Sequence, residues 1–260
     1  MTDGFFERLA EEIETKDSLV CVGLDPVPSR MPDGVGVAEF NRRIVEATSD
    51  IAVAYKPNSA FYEALGLWDT LIETVEETRN SAPVILDAKR GDIGNSSRRY
   101  AELLDAADAI TVSPYMGTDS VRPFLDHEDA GVFVLCKTTN TGSADIQDLE
   151  AEGKPVYAHV AERAVEWNEL NGNVGLVVGA THPDEMEEVR GYADDVPFLV
   201  PGVGAQGGDA EAAVEYGTNS HGVGIVNSTR SIIYAGEGER FDTAAREAAK
   251  SLRRTLNQHR

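Results

Sequence analysis

The segment Asp87-Ala-Lys89-Arg-Gly-Asp92 packs two carboxylates and an ammonium into six residues at the end of the apolar run 83–89. Lys56 ends another such run (51–57), and Asp25 ends a third (19–25). Side chains two apart on a strand leave the same face, so Asp87 and Lys89 are expected side by side. Gly91 permits a turn that redirects Asp92. Ordinary salt bridges at strand ends are the plain alternative. Buried ion pairs are poor stabilisers, because desolvation can exceed the Coulombic gain, so alternating charges gathered at neighbouring strand ends point to catalysis. Composition alone would also permit a metal held by Asp25, Asp87 and Asp92. The interleaved lysines argue against one, since they neutralise the carboxylates without a cation.

A second cluster, Pro201-Gly-Val-Gly-Ala-Gln206-Gly207-Gly-Asp, follows the run 197–203. Residues 202–207 formally match G-x-G-x-x-G, but a dinucleotide fingerprint belongs beside the first strand of its unit and needs an acid on the next strand. Here the next run ends in Asn227-Ser-Thr-Arg230. Glycines that let backbone N–H groups approach an anion, with Arg230 as a two-pronged clamp, instead describe a phosphate site. A flexible turn beside a surface arginine is the alternative. The five histidines (127, 159, 182, 221, 259) show no metal-ligand spacing, so satisfied or solvent-exposed rings are expected. No G-x-S-x-G elbow is present, and serine and cysteine nucleophiles lack a nearby base.

The elements that must position these residues follow from eight apolar, β-rich runs: 19–25, 51–57, 83–89, 108–114, 131–137, 174–180, 197–203 and 221–227. Continuous rather than alternating apolarity indicates parallel strands covered on both faces. Helical patterns lie between them. Phe40, Ile44 and Ala47 share a face, as do Leu67, Leu71 and Val75, and Tyr100, Leu103 and Leu104; further helices are expected over 158–170, 184–193, 209–217 and 240–256. A leading helix carrying Phe5, Leu9 and Ile13 could plug the barrel bottom. Eight strand–helix units in about 250 residues make a (β/α)8 TIM barrel with an N-terminal helix before the first strand; a doubly wound open sheet is the alternative. No linker or repeat divides residues 1–260, so one domain is expected. In such a barrel chemistry collects at the C-terminal strand ends, where the residues above fall. The polar stretch 138–157 is expected as a long loop on that face.

Composition narrows the partners. The chain has 23 Lys+Arg against 45 Asp+Glu, a formal charge of −22. A basic stripe for nucleic acid is thereby excluded. No apolar run reaches the ~20 residues of a membrane span. The N-terminus lacks the pattern of a secretory signal, and Cys21 and Cys136 sit in apolar runs as buried free thiols, so a cytoplasmic protein is expected. Lysine is scarce (16, 56, 89, 137, 154 and 250). A lysine-poor acidic surface stays hydrated in high salt, where screening removes its self-repulsion, and a salt-adapted cytoplasm is inferred.

Val20–Pro26 (VCVGLDP), Lys56-Pro-Asn, Asp87-Ala-Lys-Arg-Gly-Asp-Ile93, Lys137-Thr-Thr-Asn140, Pro201–Gly208 and the Arg230 segment occur in the order found in orotidine 5′-phosphate decarboxylases. The chain resembles that family over nearly its whole length, in the branch with KPN on strand two. The resemblance implies decarboxylation of orotidine 5′-monophosphate (OMP) to UMP, without metal or organic cofactor, by a homodimer with shared sites. It implies that Lys56, Asp87 and Lys89 form a charged array in one subunit and that Asp92 reaches the partner's site. Asp25 and Lys56 would hold ribose hydroxyls, with Asp92 and Ser96 approaching the ribose from the other chain. Gln206 and Arg230 would bind phosphate, with Gly207 in the same loop and Gln206 also reaching the pyrimidine. Thr138 or Thr139 would face the base. Ser96 departs from the threonine frequent in the family but keeps the hydroxyl. Two rivals are a metal-dependent sugar-phosphate decarboxylase or aldolase of the related barrel group, disfavoured by Lys56, and a non-catalytic phosphate-binding barrel, disfavoured by the intact charged set.

Overall fold

The computed structural model describes residues 4–203 and 208–260. All eight expected strands are present: β1 (Val20–Leu24), β2 (Ala54–Pro57), β3 (Ile85–Arg90), β4 (Ala109–Val112), β5 (Gly131–Lys137), β6 (Val174–Val178), β7 (Phe198–Pro201) and β8 (Ile225–Ser228). They form one parallel sheet in the order β2-β1-β8-β7-β6-β5-β4-β3. Parallel bridges Tyr55–Val84 and Asn58–Asp87 join β2 to β3 and close the barrel. An open doubly wound sheet is thereby excluded.

The helices are α1 (Phe5–Lys16), α2 (Val37–Thr48), α3 (Ser59–Glu63), α4 (Trp68–Thr78), α5 (Gly94–Ala101), α6 (Thr118–Leu125), α7 (Val156–Asn171), α8 (Pro183–Tyr192), α9 (Ala210–Glu215), α10 (Arg230–Ile233) and α11 (Phe241–Asn257). Their buried apolar stripes face the barrel: Phe40 and Ile44 on α2, Leu71 and Val75 on α4, Ala245 and Ala249 on α11. α11 returns to α2, where Phe241 stacks on Phe40 at 4.9 Å. None of the helices among the described residues is long and apolar enough to cross a membrane.

α1 does plug the N-terminal end. Phe5 and Phe6 meet Phe133 of β5 edge-on at 5.9 and 5.6 Å. Glycine is required at 131, because a Cβ there would lie 2.4 Å from the Phe5 ring. With that end filled by side chains, access is left to the C-terminal end.

Three local expectations change. β8 starts four residues late, since 221–224 turn around Asn219, whose Oδ1 accepts the N–H groups of His221 and Val223. Tyr100 is 37% exposed instead of packed with Leu104, and the Arg90 guanidinium lies 5.0 Å over its ring. Residues 138–157 are not simply a loop: a 3₁₀ turn (Thr141–Asp145) and a two-residue hairpin (Glu150–Ala151 with Lys154–Pro155) shape them. Buried Lys137 ties this segment to α8 through ion pairs with Asp148 and with Glu185 at 3.3 Å.

Candidate active site

Register brings the strand-end charges together. Gly23 of β1 pairs with Lys56 of β2, and Asn58 just past β2 bridges to Asp87 of β3. Asp87 is buried and its two oxygens are divided between two lysines. Oδ2 accepts from Lys56 Nζ at 2.7 Å, and Oδ1 accepts from Lys89 Nζ at 2.5 Å and from Thr111 Oγ1 at 2.9 Å.

Lys89 reaches Asp87 by a route that regular strand geometry does not supply. Its φ is +47°, in the left-handed region that a non-glycine residue seldom adopts. The β3–β4 register shifts between Leu86 and Arg90, and the Lys89 N–H donates to Thr111 Oγ1 at 2.9 Å. Thr111 of β4 therefore holds both the backbone of one charged residue and the carboxylate of the other. Backbone strain that the surroundings enforce gathers at functional sites.

The electrostatics follow from burial and pairing. Burial alone would raise the Asp87 pKa, but the two ammonium groups outweigh it and hold the carboxyl well below the usual range. Burial alone would lower the Lys56 pKa, but Asp87 and then Asp25 reverse this and keep it charged beyond the ordinary lysine range. Asp25 moves the other way: burial raises its pKa more than Lys56 lowers it. Its Oδ1 is buried without a hydrogen-bond partner among the described residues, as is Oδ1 of Asn227. Behind the array, burial pushes the Cys21 thiol up to about 12, so it is no nucleophile.

Two cavities of about 290 and 270 Å³ meet at Lys56, Asp87 and Pro201. The smaller is walled by Leu135, Val177 and Leu199 and holds Lys89, Thr111, Thr138 and Thr139 at its polar edge. The larger holds Asp25, Asn58, Asn227, Arg30, Arg230 and Tyr234. The Thr138 hydroxyl donates its proton to Asn140 Oδ1 at 2.7 Å and accepts from Gln147 Nε2 at 2.8 Å, so it has no proton left to donate to a ligand. Thr139 sets its methyl against Gly179, where a Cβ would lie 2.3 Å from it.

Of the residues singled out in the sequence, Asp25, Lys56, Asp87, Lys89, Thr138, Thr139 and Arg230 line this paired cavity. Asp92 and Ser96 do not. Asp92 Oδ1 accepts the Ile93 N–H at 2.7 Å, and Ser96 is exposed on α5. Gln206 and Gly207 lie outside the described residues. Among those described, no cluster of three His, Cys, Asp or Glu could hold a metal ion. Both cysteines are free and buried, and the histidines are half-buried or exposed; the ring of His159 hydrogen-bonds the Ala151 carbonyl at 2.7 Å. Thr111, Asn58, Asn227, Arg30 and Tyr234 were not foreseen. A lone threonine in the otherwise apolar β4 and the invitation of KPN were the available signals.

Comparison with known proteins identifies the family. A model of the orotidine 5′-phosphate decarboxylase / HUMPS family matches residues 18–244. Proteins named orotidine 5′-phosphate decarboxylase from Halobacterium salinarum and Haloarcula marismortui are each 56% identical, over 98% of this chain and 99% of theirs. The solved OMP decarboxylase of Leishmania donovani superposes with a TM-score of 0.86 at 40% identity, over 98% of both chains. The chain belongs to the orotidine 5′-phosphate decarboxylase / HUMPS family.

Proposed function

We propose that the chain decarboxylates orotidine 5′-monophosphate to UMP and CO2, the last step of de novo UMP synthesis. One observation carries this: two lysines share the two oxygens of buried Asp87 at the junction of an apolar and a polar cavity. A flat pyrimidine fits the Leu135/Val177/Leu199 cavity. The ribose lies across Asp25, Lys56 and Asn227, whose two unpartnered acceptor oxygens call for hydroxyl donors. The phosphate extends toward Arg230, and Gln206 and Gly207, outside the described residues, are its further proposed contacts. Thr139 is the base-facing hydroxyl, since that of Thr138 is engaged within the protein.

Breaking the bond from C6 to the carboxylate leaves the electron pair in an sp² orbital that the ring carbonyls cannot delocalise. Stabilisation must then come from charge fixed in advance. Lys89 provides it, oriented by Asp87 and Thr111, and transfers a proton to C6 to complete UMP; water restores that proton. Asp87 enters the reaction ionised, because the two charged lysines hold its pKa down. Phosphate binding away from C6 supplies remote binding energy for closing the site.

The working form is a homodimer in which Asp92 and Ser96 serve the partner's site. Supporting this, neither lines the cavity of its own chain, and exposed apolar side chains follow the neighbouring strands β3 and β4: Ile93 (55% exposed), next to Asp92, and Tyr115 (84%) and Met116 (47%). The charge of −22 and the scarcity of lysine support a cytoplasm of high salt.

The test follows OMP absorbance with purified protein in high salt, with and without a chelator. Turnover unaffected by chelator is expected. Activity lost to the chelator would favour a metal-dependent barrel enzyme, and tight UMP binding without turnover a binding protein.

A further inference from the structure

The larger cavity holds a second guanidinium that the family motifs above do not include. Arg30 ends a 3₁₀ turn (Pro28–Arg30) after β1, and it lines the cavity together with Arg230, which follows the neighbouring strand β8. Its guanidinium carbon sits 4.0 Å from the centroid of the Tyr234 ring. That ring is itself fixed, its hydroxyl donating to the Asp25 carbonyl at 3.0 Å and accepting the Val27 N–H at 2.6 Å. Stacking occupies the flat face of the guanidinium and leaves its N–H edge to bond.

The pairing pattern is informative in a chain with 45 Asp and Glu. Among the described residues neither Arg30 nor Arg230 has a carboxylate within 4 Å, whereas ten of the other fifteen arginines do. Asp33 and Glu237 line the adjoining outer cavity beside Arg30 yet form no ion pair with it. Two arginines without carboxylate partners, lining one cavity from the ends of the neighbouring strands β1 and β8, suit a dianion, and a phosphate oxygen pair matches the guanidinium fork.

We infer that Arg30 is a second phosphate-binding residue, closing on the 5′-phosphate from the β1 side while Arg230 holds it from the β8 side. The inference rests on the OMP assignment and deepens it. Tyr234 acts as its platform, so that the loop which carries the ribose-facing Asp25 also carries a phosphate contact.

Arg30 is exposed, so Arg30→Ala leaves no cavity in the core. Wild type and variant are compared for the KM of OMP, and for competitive inhibition of OMP turnover by UMP and by uridine, which lacks the phosphate. Losing a charged hydrogen bond should raise the OMP KM and the UMP inhibition constant ~10- to 100-fold. The uridine constant should stay within about twofold, and Arg30→Lys should recover part of the loss. An unchanged UMP constant would overturn the assignment. Equal weakening of UMP and uridine would also overturn it, making Arg30 a structural brace for Tyr234. Wild type without OMP turnover would instead overturn the functional assignment on which this rests.

Discussion

Asp87→Asn isolates what holds the array together. The substitution keeps the side chain's shape but leaves Lys56 and Lys89 facing one another without their shared counter-charge. At a separation of roughly 5 Å and an effective dielectric of ~20, two such charges repel by ~3 kcal/mol. Removing one partner of a buried pair costs about 3–5 kcal/mol. Lys89 is 47% exposed, so solvent screens part of its share and the lower figure applies. For a domain of this size ~3 kcal/mol lowers Tm by roughly 6–12 °C. The pH dependence is specific. In wild type the Lys56 pKa is raised by folding, so its contribution is complete below ~10.4 and declines at higher pH. The Asp87 pKa is lowered by folding, so its contribution is complete above ~3.9 and is lost on acidification. In Asp87→Asn burial acts on Lys56 with Asp87's opposing charge removed. Its pKa falls, and raising the pH relieves the repulsion by removing a proton. Calorimetric unfolding of both proteins at pH 7 and pH 10, at one fixed high salt concentration, should show a Tm gap that narrows at pH 10. A variant within ~2 °C of wild type at pH 7, or a gap that does not narrow, would refute this electrostatic account.

Other outcomes follow from the same site. Arg230→Ala should raise the OMP KM and slow turnover, while hardly changing reaction of the phosphate-free nucleoside; equal loss on both would make Arg230 structural. Inactive Lys89→Ala and inactive Asp92→Ala proteins, mixed under subunit exchange, should regain about a quarter of wild-type activity, because half the dimers are mixed and each carries one intact site. No recovery despite demonstrated exchange would confine Asp92 to its own chain. Dilution from molar salt to ~0.1 M should lower Tm, since less screening increases self-repulsion at a charge of −22; a Tm independent of salt would remove the salt-adaptation inference.

The barrel was legible because its strands are buried on both faces, which writes them as unbroken apolar runs, and because the charges that end those runs are conspicuous at Asp25, Lys56, Asp87 and Lys89. Less was legible where the chemistry depends on backbone or on ordinary-looking residues. The left-handed Lys89 and the β3–β4 register shift leave no mark in the sequence. Thr111 suits a strand by propensity alone, so its double hydrogen bond to the array could not be foretold. Tyr100 fitted a helical stripe, yet it lies on an exposed face beneath Arg90. Which threonine is free depended on Gln147, nine residues away around a turn that periodicity does not predict. Asp92 was legible as chemistry but not as geometry: it lines neither cavity of its own chain, and its Oδ1 accepts the Ile93 N–H.

The measurement closest to the centre is OMP turnover by Lys89→Ala, with UMP binding and Tm recorded on the same sample. In the proposed mechanism Lys89 supplies both the stabilising charge and the proton. Loss of a single preorganised stabilising group costs ~10²–10³ in rate, and the dual role predicts a larger loss here, with UMP still bound and the fold retained. Turnover within tenfold of wild type would contradict the account.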